Sequence, residues 1–117
     1  MASTNIFRVK EGIVQSYPKE AELVIPDNVH TLTSIFAYDD LIKSVKIPSS
    51  VTRIGESAFY DCDDLNDVTI PGSVRTIEKD AFGCCGGLER VVLEEGVVEL
   101  KESVFEACPL TEITLPK

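Results

Sequence analysis

The chain has 117 residues, which is enough for one domain with a modest hydrophobic core. Hydrophobic residues make up 44% of the sequence and charged residues 26%, a balance typical of globular proteins and too apolar for disorder. The formal net charge of −9 argues against nucleic acid and anionic membrane surfaces as partners, because both attract clustered Lys and Arg. We expect no membrane insertion, since no apolar run approaches the roughly 18–20 residues of a spanning helix.

The start of the chain lacks the features of a signal peptide. Residues 1–10 contain no basic segment followed by an apolar stretch. We therefore expect a cytoplasmic protein for the chain as it stands, or a cell-surface or secreted protein if a leader has been removed.

The first 20 residues predict a β-hairpin. Residues 7–9 and 13–15 alternate apolar and polar side chains on either side of Lys10, Glu11 and Gly12. We predict that residues 1–20 form an N-terminal cap and that residues 21–117 form a repeat solenoid within the same single domain.

Three stretches beyond the hairpin repeat one residue pattern at an offset of 23. A fixed period of roughly 20–29 residues predicts a solenoid, in which each unit buries its apolar face only against its neighbours. An upstream copy with one residue deleted starts at Leu23, and a further unit opens at Leu110, which makes four units and a fragment. The positions in register are Val45, Ile47, Val51, Ile54, Ala58, Phe59, Cys62 and Leu65; Val68, Ile70, Val74, Ile77, Ala81, Phe82, Cys85 and Leu88; and Val91, Leu93, Val97, Leu100, Val104, Phe105 and Cys108.

Each unit is expected to form one coil with two short strands and a tight turn. Residues 65–70 alternate apolar and polar, and Pro71 ends this strand because it has no N–H to donate. Residues 73–77 predict a second extended piece, and residues 79–82 a helical or 3₁₀ turn. The sequence thus predicts an α/β-type solenoid that is mostly β, right-handed and about four coils long, with successive strands about 4.8 Å apart.

The last unit predicts an uncovered edge. Ile113 and Leu115 should face the core just before the sequence stops at Lys117. An open strand edge invites pairing with another chain. We expect either a natural chain cut short here or a homo-oligomer formed through this C-terminal edge.

The repeat resembles the leucine-rich repeats of BspA-like surface proteins. The pattern Val-x-Ile-Pro-x-Ser-Val-x-x-Ile-x-x-x-Ala-Phe-x-x-Cys-x-x-Leu occupies residues 45–65 and again residues 68–88. The resemblance covers about residues 21–116. It implies a leucine-rich repeat fold and a bacterial or protist protein, often secreted, that adheres to host proteins or other cells. No catalytic residues belong to the family pattern.

The cysteines allow two interpretations. Cys62, Cys85 and Cys108 share one register position, so they should stack as a buried ladder of small apolar side chains. A spacing of 23 would let a disulfide form, but side chains that point the same way give poor bond geometry. Zinc is disfavoured because Cys pairs at the two-to-four-residue spacing usual for zinc sites are absent. Cys84 lies off the ladder, and we expect it to be exposed and able to form an intermolecular disulfide.

The sequence offers few residues for metal binding or catalysis. Asp61, Asp63, Asp64 and Asp67, with residues 39–40 one coil earlier, could hold Ca²⁺ as in a calcium-dependent adhesin, or form a solvated acidic edge. His30 is the only histidine, and no nucleophile elbow or phosphate-binding loop accompanies it. We expect no enzyme, no cofactor and no metal site.

The outward face of the first strand of each unit is the remaining candidate. Solenoids bind proteins on such faces, so we predict a non-enzymatic protein-interaction or adhesion module with a protein partner. The alternative is a structural unit that self-associates through its C-terminal edge. Alternation assigns these positions to the outward face: Val24, Ser44, Lys46, Asp67, Thr69, Arg90, Val92, Glu112 and Thr114.

Overall fold

The computed structural model describes residues 6–96 and 99–114. Each repeat unit forms one coil that contributes a strand to each of two sheets. The six-stranded sheet contains β1 (Arg8–Lys10), β2 (Ile13–Ser16), β4 (Thr31–Leu32), β6 (Arg53–Ile54), β8 (Thr76–Ile77) and β10 (Glu99–Leu100), in that spatial order. The five-stranded sheet contains β3 (Glu22–Val24), β5 (Ser44–Lys46), β7 (Asp67–Ile70), β9 (Arg90–Leu93) and β11 (Glu112–Thr114).

Neighbouring coils pair in the register that the sequence period predicts. Val45 lies opposite Val68, and Val68 lies opposite Val91, so adjacent coils are 23 residues apart. The offset is 22 where Leu23 pairs with Val45 and where Val91 pairs with Ile113. All pairings between coils are parallel, as stacking of successive turns requires. The predicted solenoid of about four coils is confirmed.

A column of aromatic rings runs through the core from coil to coil. Phe36, Phe59, Phe82 and Phe105 stack with centroid separations of 5.1, 5.3 and 5.7 Å. The first three of these side chains are fully buried. Offset stacking of this kind adds about 0.5–1.5 kcal/mol per pair beyond the burial of apolar area. The column therefore holds neighbouring coils in register from inside.

The turn that carries each Phe forms a third ladder of backbone hydrogen bonds. The N–H groups of Ser57, Phe59 and Asp61 donate to carbonyl oxygens of the next coil, at 3.0, 2.7 and 2.8 Å. Residues 80, 82 and 84 repeat the pattern one coil later. Ser57 and Asp61 adopt positive φ angles of 59° and 58°, which turns their N–H groups along the solenoid axis. Each coil is thus bonded to the next on three sides.

These turns differ from the helical turn that the sequence predicts. Residues 79–82 form a hydrogen-bonded turn rather than a 3₁₀ helix, because Asp80 has a φ of 60°. A 3₁₀ helix occurs at Ser34–Phe36, in the unit that lacks one residue. The shorter unit has one residue fewer between Leu32 and Phe36 than the next unit has between Ile54 and Phe59, and its chain forms the tighter 3₁₀ turn there. In the described part of the chain no helix is long or apolar enough to cross a membrane.

The N-terminal hairpin continues the six-stranded sheet. β1 and β2 pair antiparallel around Glu11 and Gly12, whose φ angles of 53° and 80° are those of a tight two-residue hairpin turn. β2 then pairs in parallel with β4 of the first coil. Val14 and Pro18 are buried, so the hairpin covers the N-terminal end of the core. The predicted hairpin is present in residues 8–16, residues 1–5 of the predicted cap lie outside the described residues, and the boundary at residue 20 stays a prediction.

Asp39 fastens the cap to the first coil. It stands where the later coils have a ladder cysteine, and its side chain is only 3% exposed. Its carboxylate accepts hydrogen bonds from the Tyr17 hydroxyl at 2.6 Å and from the backbone N–H groups of Leu41 and Ile42 at 2.8 and 3.1 Å. Lys19 lies 3.7 Å away and also packs over the Tyr17 ring. Asp39 is therefore not part of a solvated acidic edge, contrary to the sequence-based expectation.

The surroundings of Asp39 shift two pKa values in opposite directions. Burial opposes ionisation of Asp39, but the hydrogen bonds from Tyr17, Leu41 and Ile42 outweigh it and hold the pKa of the carboxyl below its ordinary value. Burial and the hydrogen bond to Asp39 raise the pKa of Tyr17. The ionised carboxylate is thus the form that the folded state prefers.

We predict that Asp39→Asn destabilises the protein by about 1–3 kcal/mol, because the amide accepts fewer hydrogen bonds and leaves buried donors unsatisfied. Since the pKa of Asp39 is lower in the folded state, its stabilisation is present above the ordinary carboxyl value and is lost as the pH falls through the lowered value. Urea unfolding between pH 3 and 7 measures both effects. The exposed neighbour Asp40, changed to Asn, is the matched control, and equal losses in the two variants would contradict the prediction.

Candidate functional site on the strand face

The nine residues predicted from alternation lie on the outward side of the five-stranded sheet. Inward residues of the same strands, such as Val45, Val68 and Val91, are buried in the core. None of the nine outward residues is buried, and Val24 is 59% exposed. Their role in binding stays a prediction. We call this outward surface of β3, β5, β7, β9 and β11 the strand face.

The middle of the strand face is concave. A cavity of about 480 Å³ lies over β5, β7 and β9. Six of the nine predicted residues line it: Ser44, Lys46, Asp67, Thr69, Arg90 and Val92. Val24, Glu112 and Thr114 lie on the flanking strands and do not line it. The structure therefore gathers the central residues of the predicted set around one shallow depression.

Five residues outside the predicted set also line this cavity: the inward residues Val45, Ile47 and Val68, and the residues Pro71 and Glu94. Pro71 and Glu94 occupy the position directly after the strands β7 and β9. Alternation within a strand does not include this position, which was interpreted as the end of the strand. The equivalent position of β5 is Pro48, so the register itself could have indicated a third outward column.

The two cations of the cavity differ in their surroundings. Arg90 donates to the Asn66 side chain at 3.1 Å and lies 3.7 Å from Asp67 and 3.9 Å from Glu89. Lys46 makes no ion pair with any residue that the structure describes. Exposed pairs such as those of Arg90 contribute little to stability, but they hold its guanidinium in place. The Lys46 ammonium group therefore lines the depression without an ion pair to any described residue.

The cysteine ladder forms as predicted, and all four cysteines are free thiols. The Cys62 and Cys85 side chains are fully buried, whereas Cys108 in the last coil is half-buried. Each ladder thiol donates to the carbonyl oxygen of the Phe in the coil before it, at 3.2, 3.1 and 3.0 Å. Burial raises the pKa of Cys62 to about 12, and the neighbouring Cys108 thiol together with burial raises the pKa of Cys85. The ladder is a packing and hydrogen-bonding element.

Cys84 lies in a different environment from the ladder. It is half-buried rather than exposed, and its sulfur lies 3.6 Å from the hydroxyl of Tyr60. The Tyr60 ring also meets the exposed ring of Tyr38 edge to face at 5.8 Å. The expected intermolecular disulfide stays a prediction.

The aspartates at the turn edge, which are the candidate Ca²⁺ ligands, lie in the described part of the chain. No group of three or more His, Cys, Asp or Glu side chains there is placed to hold a metal ion. A hydrogen bond with the neighbouring Asp61 carboxyl raises the pKa of Asp63. Asp67 instead contributes to the strand face, where it lies beside Arg90.

Comparison with known proteins agrees with this architecture. The family model described as a BspA type leucine rich repeat region (6 copies) matches residues 15–117. The chain belongs to the BspA-type leucine-rich repeat family. A search of curated protein sequences returns no match.

Solved structures of bacterial leucine-rich repeat proteins share the fold. A leucine-rich repeat protein from Bacteroides capillosus is 20% identical with a TM-score of 0.78, and the match covers 88% of this chain and 85% of that one. The leucine-rich repeat protein of T. pallidum is 22% identical with a TM-score of 0.67, with coverage of 86% and 62%. A leucine rich cell surface protein from Faecalibacterium prausnitzii is 26% identical with a TM-score of 0.63. That match covers 99% of this BspA-type chain but only 43% of the Faecalibacterium prausnitzii protein.

We predict that the buried ladder thiols react only when the protein unfolds. Cys62 and Cys85 combine complete burial with raised pKa values, so thiolate is scarce and inaccessible at neutral pH. Alkylation at pH 8 followed by peptide mass spectrometry should modify Cys84 and Cys108 in the native protein, and all four cysteines in guanidinium chloride. Native modification of Cys62 as fast as Cys84 would contradict the buried ladder.

Proposed function

We propose that this BspA-type repeat protein is a non-enzymatic interaction or adhesion module that binds a protein partner through the strand face. The observation that carries the proposal is the concavity over β5, β7 and β9, whose lining includes six outward residues that are not part of the buried core. The outward residues Lys46 and Thr69 are exposed, so their chemistry is free to vary without disturbing packing.

The shape of the cavity suits a macromolecular partner better than a small molecule. It is shallow, and it lies on a sheet surface that continues over the flanking strands β3 and β11. Small-molecule sites are concave enough to bury most of a ligand, whereas protein interfaces spread over a broad surface. The description of the Faecalibacterium prausnitzii neighbour as a cell surface protein is consistent with adhesion.

The binding test uses charge reversal on the strand face. The double variant Lys46→Glu with Arg90→Glu should lose binding of peptides selected on the wild type from a displayed random 12-residue library, with affinity falling at least tenfold. Arg75→Glu with Lys79→Glu makes the same charge change at two exposed positions outside the strand face and should keep binding. Thermal unfolding of both variants controls for folding. Selected peptides that bind the two variants equally would contradict the assignment of the strand face.

A second candidate function is self-association through the C-terminal edge. Ile113 is 46% exposed and Leu100 is 44% exposed, whereas their equivalents one coil earlier, Val91 and Ile77, are 1% and 0% exposed. We propose that a second copy of the chain covers this edge by antiparallel pairing of β11 with itself. Pairing centred on Ile113 would place Glu112 opposite Thr114 of the second copy, so no like charges lie directly opposite each other within the strand pair.

Sedimentation velocity over a hundredfold range of concentration tests self-association. The wild type should shift from monomer to dimer, and Ile113→Lys should stay monomeric, because a charge on an edge strand opposes pairing. Leu41→Lys changes a side chain of similar exposure, 48%, that lies outside the strands, and this variant should still dimerise. A wild type that is monomeric at every concentration would leave only the strand-face proposal.

A further inference from the structure

The strand face carries a column of four chemically different positions, one on each of four neighbouring strands. Register places Val24 beside Lys46 and Thr69 beside Val92. Between β5 and β7 the paired residues are Ser44 with Asp67 and Val45 with Val68, and the same register continued by one residue places Lys46 beside Thr69. The column thus presents an apolar group, a cation, a hydroxyl and another apolar group in that order along the solenoid axis. Strands in a sheet lie about 4.8 Å apart, so the two valines are separated by about 14 Å.

The Lys46 ammonium group is the charged group of this column. Lys46 makes no ion pair within the described residues, while the other cation of the cavity, Arg90, is held by Asp67, Glu89 and Asn66. An ammonium group offers three hydrogen-bond donors, and Thr69 offers a hydroxyl on the next strand. A carboxylate placed between them would receive charge-assisted hydrogen bonds from both sides.

From this column we infer the chemistry of the bound segment: an extended, acidic stretch with a carboxylate at its centre and an aliphatic side chain two residues away on each side. The inference rests on the proposed function of the strand face. An extended chain advances about 3.4 Å per residue, so residues i and i+4 span about 14 Å and match Val24 and Val92. Residue i+2 then lies over the gap between Lys46 and Thr69. A helix would advance only about 6 Å over the same four residues and could not reach both valines.

The test uses defined peptides and the amide NMR spectrum of the full 117-residue chain. The probe is the acetylated and amidated pentapeptide Val-Ser-Glu-Ser-Val. Its controls carry Gln in place of Glu, or Glu moved by one position. We expect the probe to shift amide signals of β5, β7 and β9, with an affinity at least fivefold higher than that of either control.

Charge reversal at Lys46 provides the converse experiment. Lys46→Glu should lose the preference for the Glu peptide and gain a preference for Val-Ser-Lys-Ser-Val, whereas Lys79→Glu, an exposed control outside the strand face, should leave the preference unchanged. Equal affinity for the Glu and Gln peptides at the same amides would overturn the carboxylate assignment while leaving the strand face as a binding surface. An absence of shifts on the strand face with any peptide at millimolar concentration would also overturn it, and the library selection separately tests the face itself.

Discussion

The stacking of one coil on the next is the constraint on which the rest of the structure depends. A single coil of 22 or 23 residues has no enclosed interior, so its Phe, Ile and Leu side chains leave water only when neighbouring coils lie above and below. Three backbone ladders, two of them strands and one the Phe-bearing turn, hold neighbouring coils together. The stacked rings of Phe36, Phe59, Phe82 and Phe105 occupy the space between the ladders. Because the ladders fix the register of neighbouring coils, the same positions of every coil face the core, and packing requires apolar side chains at most of them.

This constraint also determines where function can reside. Inward positions of the strands repeat Val and Ile from coil to coil, while outward positions carry Val24, Lys46, Thr69 and Val92 in a single column. The sheet supplies a rigid surface with fixed spacing, and the outward side chains supply the chemistry. Binding specificity of such a surface comes from the order of side chains across strands, which is distant in sequence and regular in space. That order is the basis on which we propose the length and polarity of a bound segment.

The periodic part of the structure could be predicted from sequence, and the departures from periodicity could not. Register, strand positions, the buried thiols and the outward column all follow from an offset of 22 or 23 residues applied to alternating side chains. The pairing of Arg90 with Asn66 and Asp67 depends on side-chain conformations, which a pattern of residue types does not contain. Pro71 was interpreted only as the end of a strand, although the same position lines the cavity. The turn at residues 79–82 has helix-compatible residues but is bonded to the next coil, and that bonding imposes the positive φ of Asp80.

Asp39 shows how one substitution in the repeat can mark the end of a solenoid. In later coils this register position holds a cysteine whose thiol donates to the Phe carbonyl of the coil before it, as Cys62 does to Phe36. The first coil stacks against the hairpin instead, so a donor there would lack that carbonyl. Asp39 reverses the polarity of the position: it accepts from the Tyr17 hydroxyl of the cap and from two N–H groups of its own coil. The register that explains the buried thiols as packing therefore also explains Asp39: at the same position in the first coil, an acceptor is needed in place of a donor.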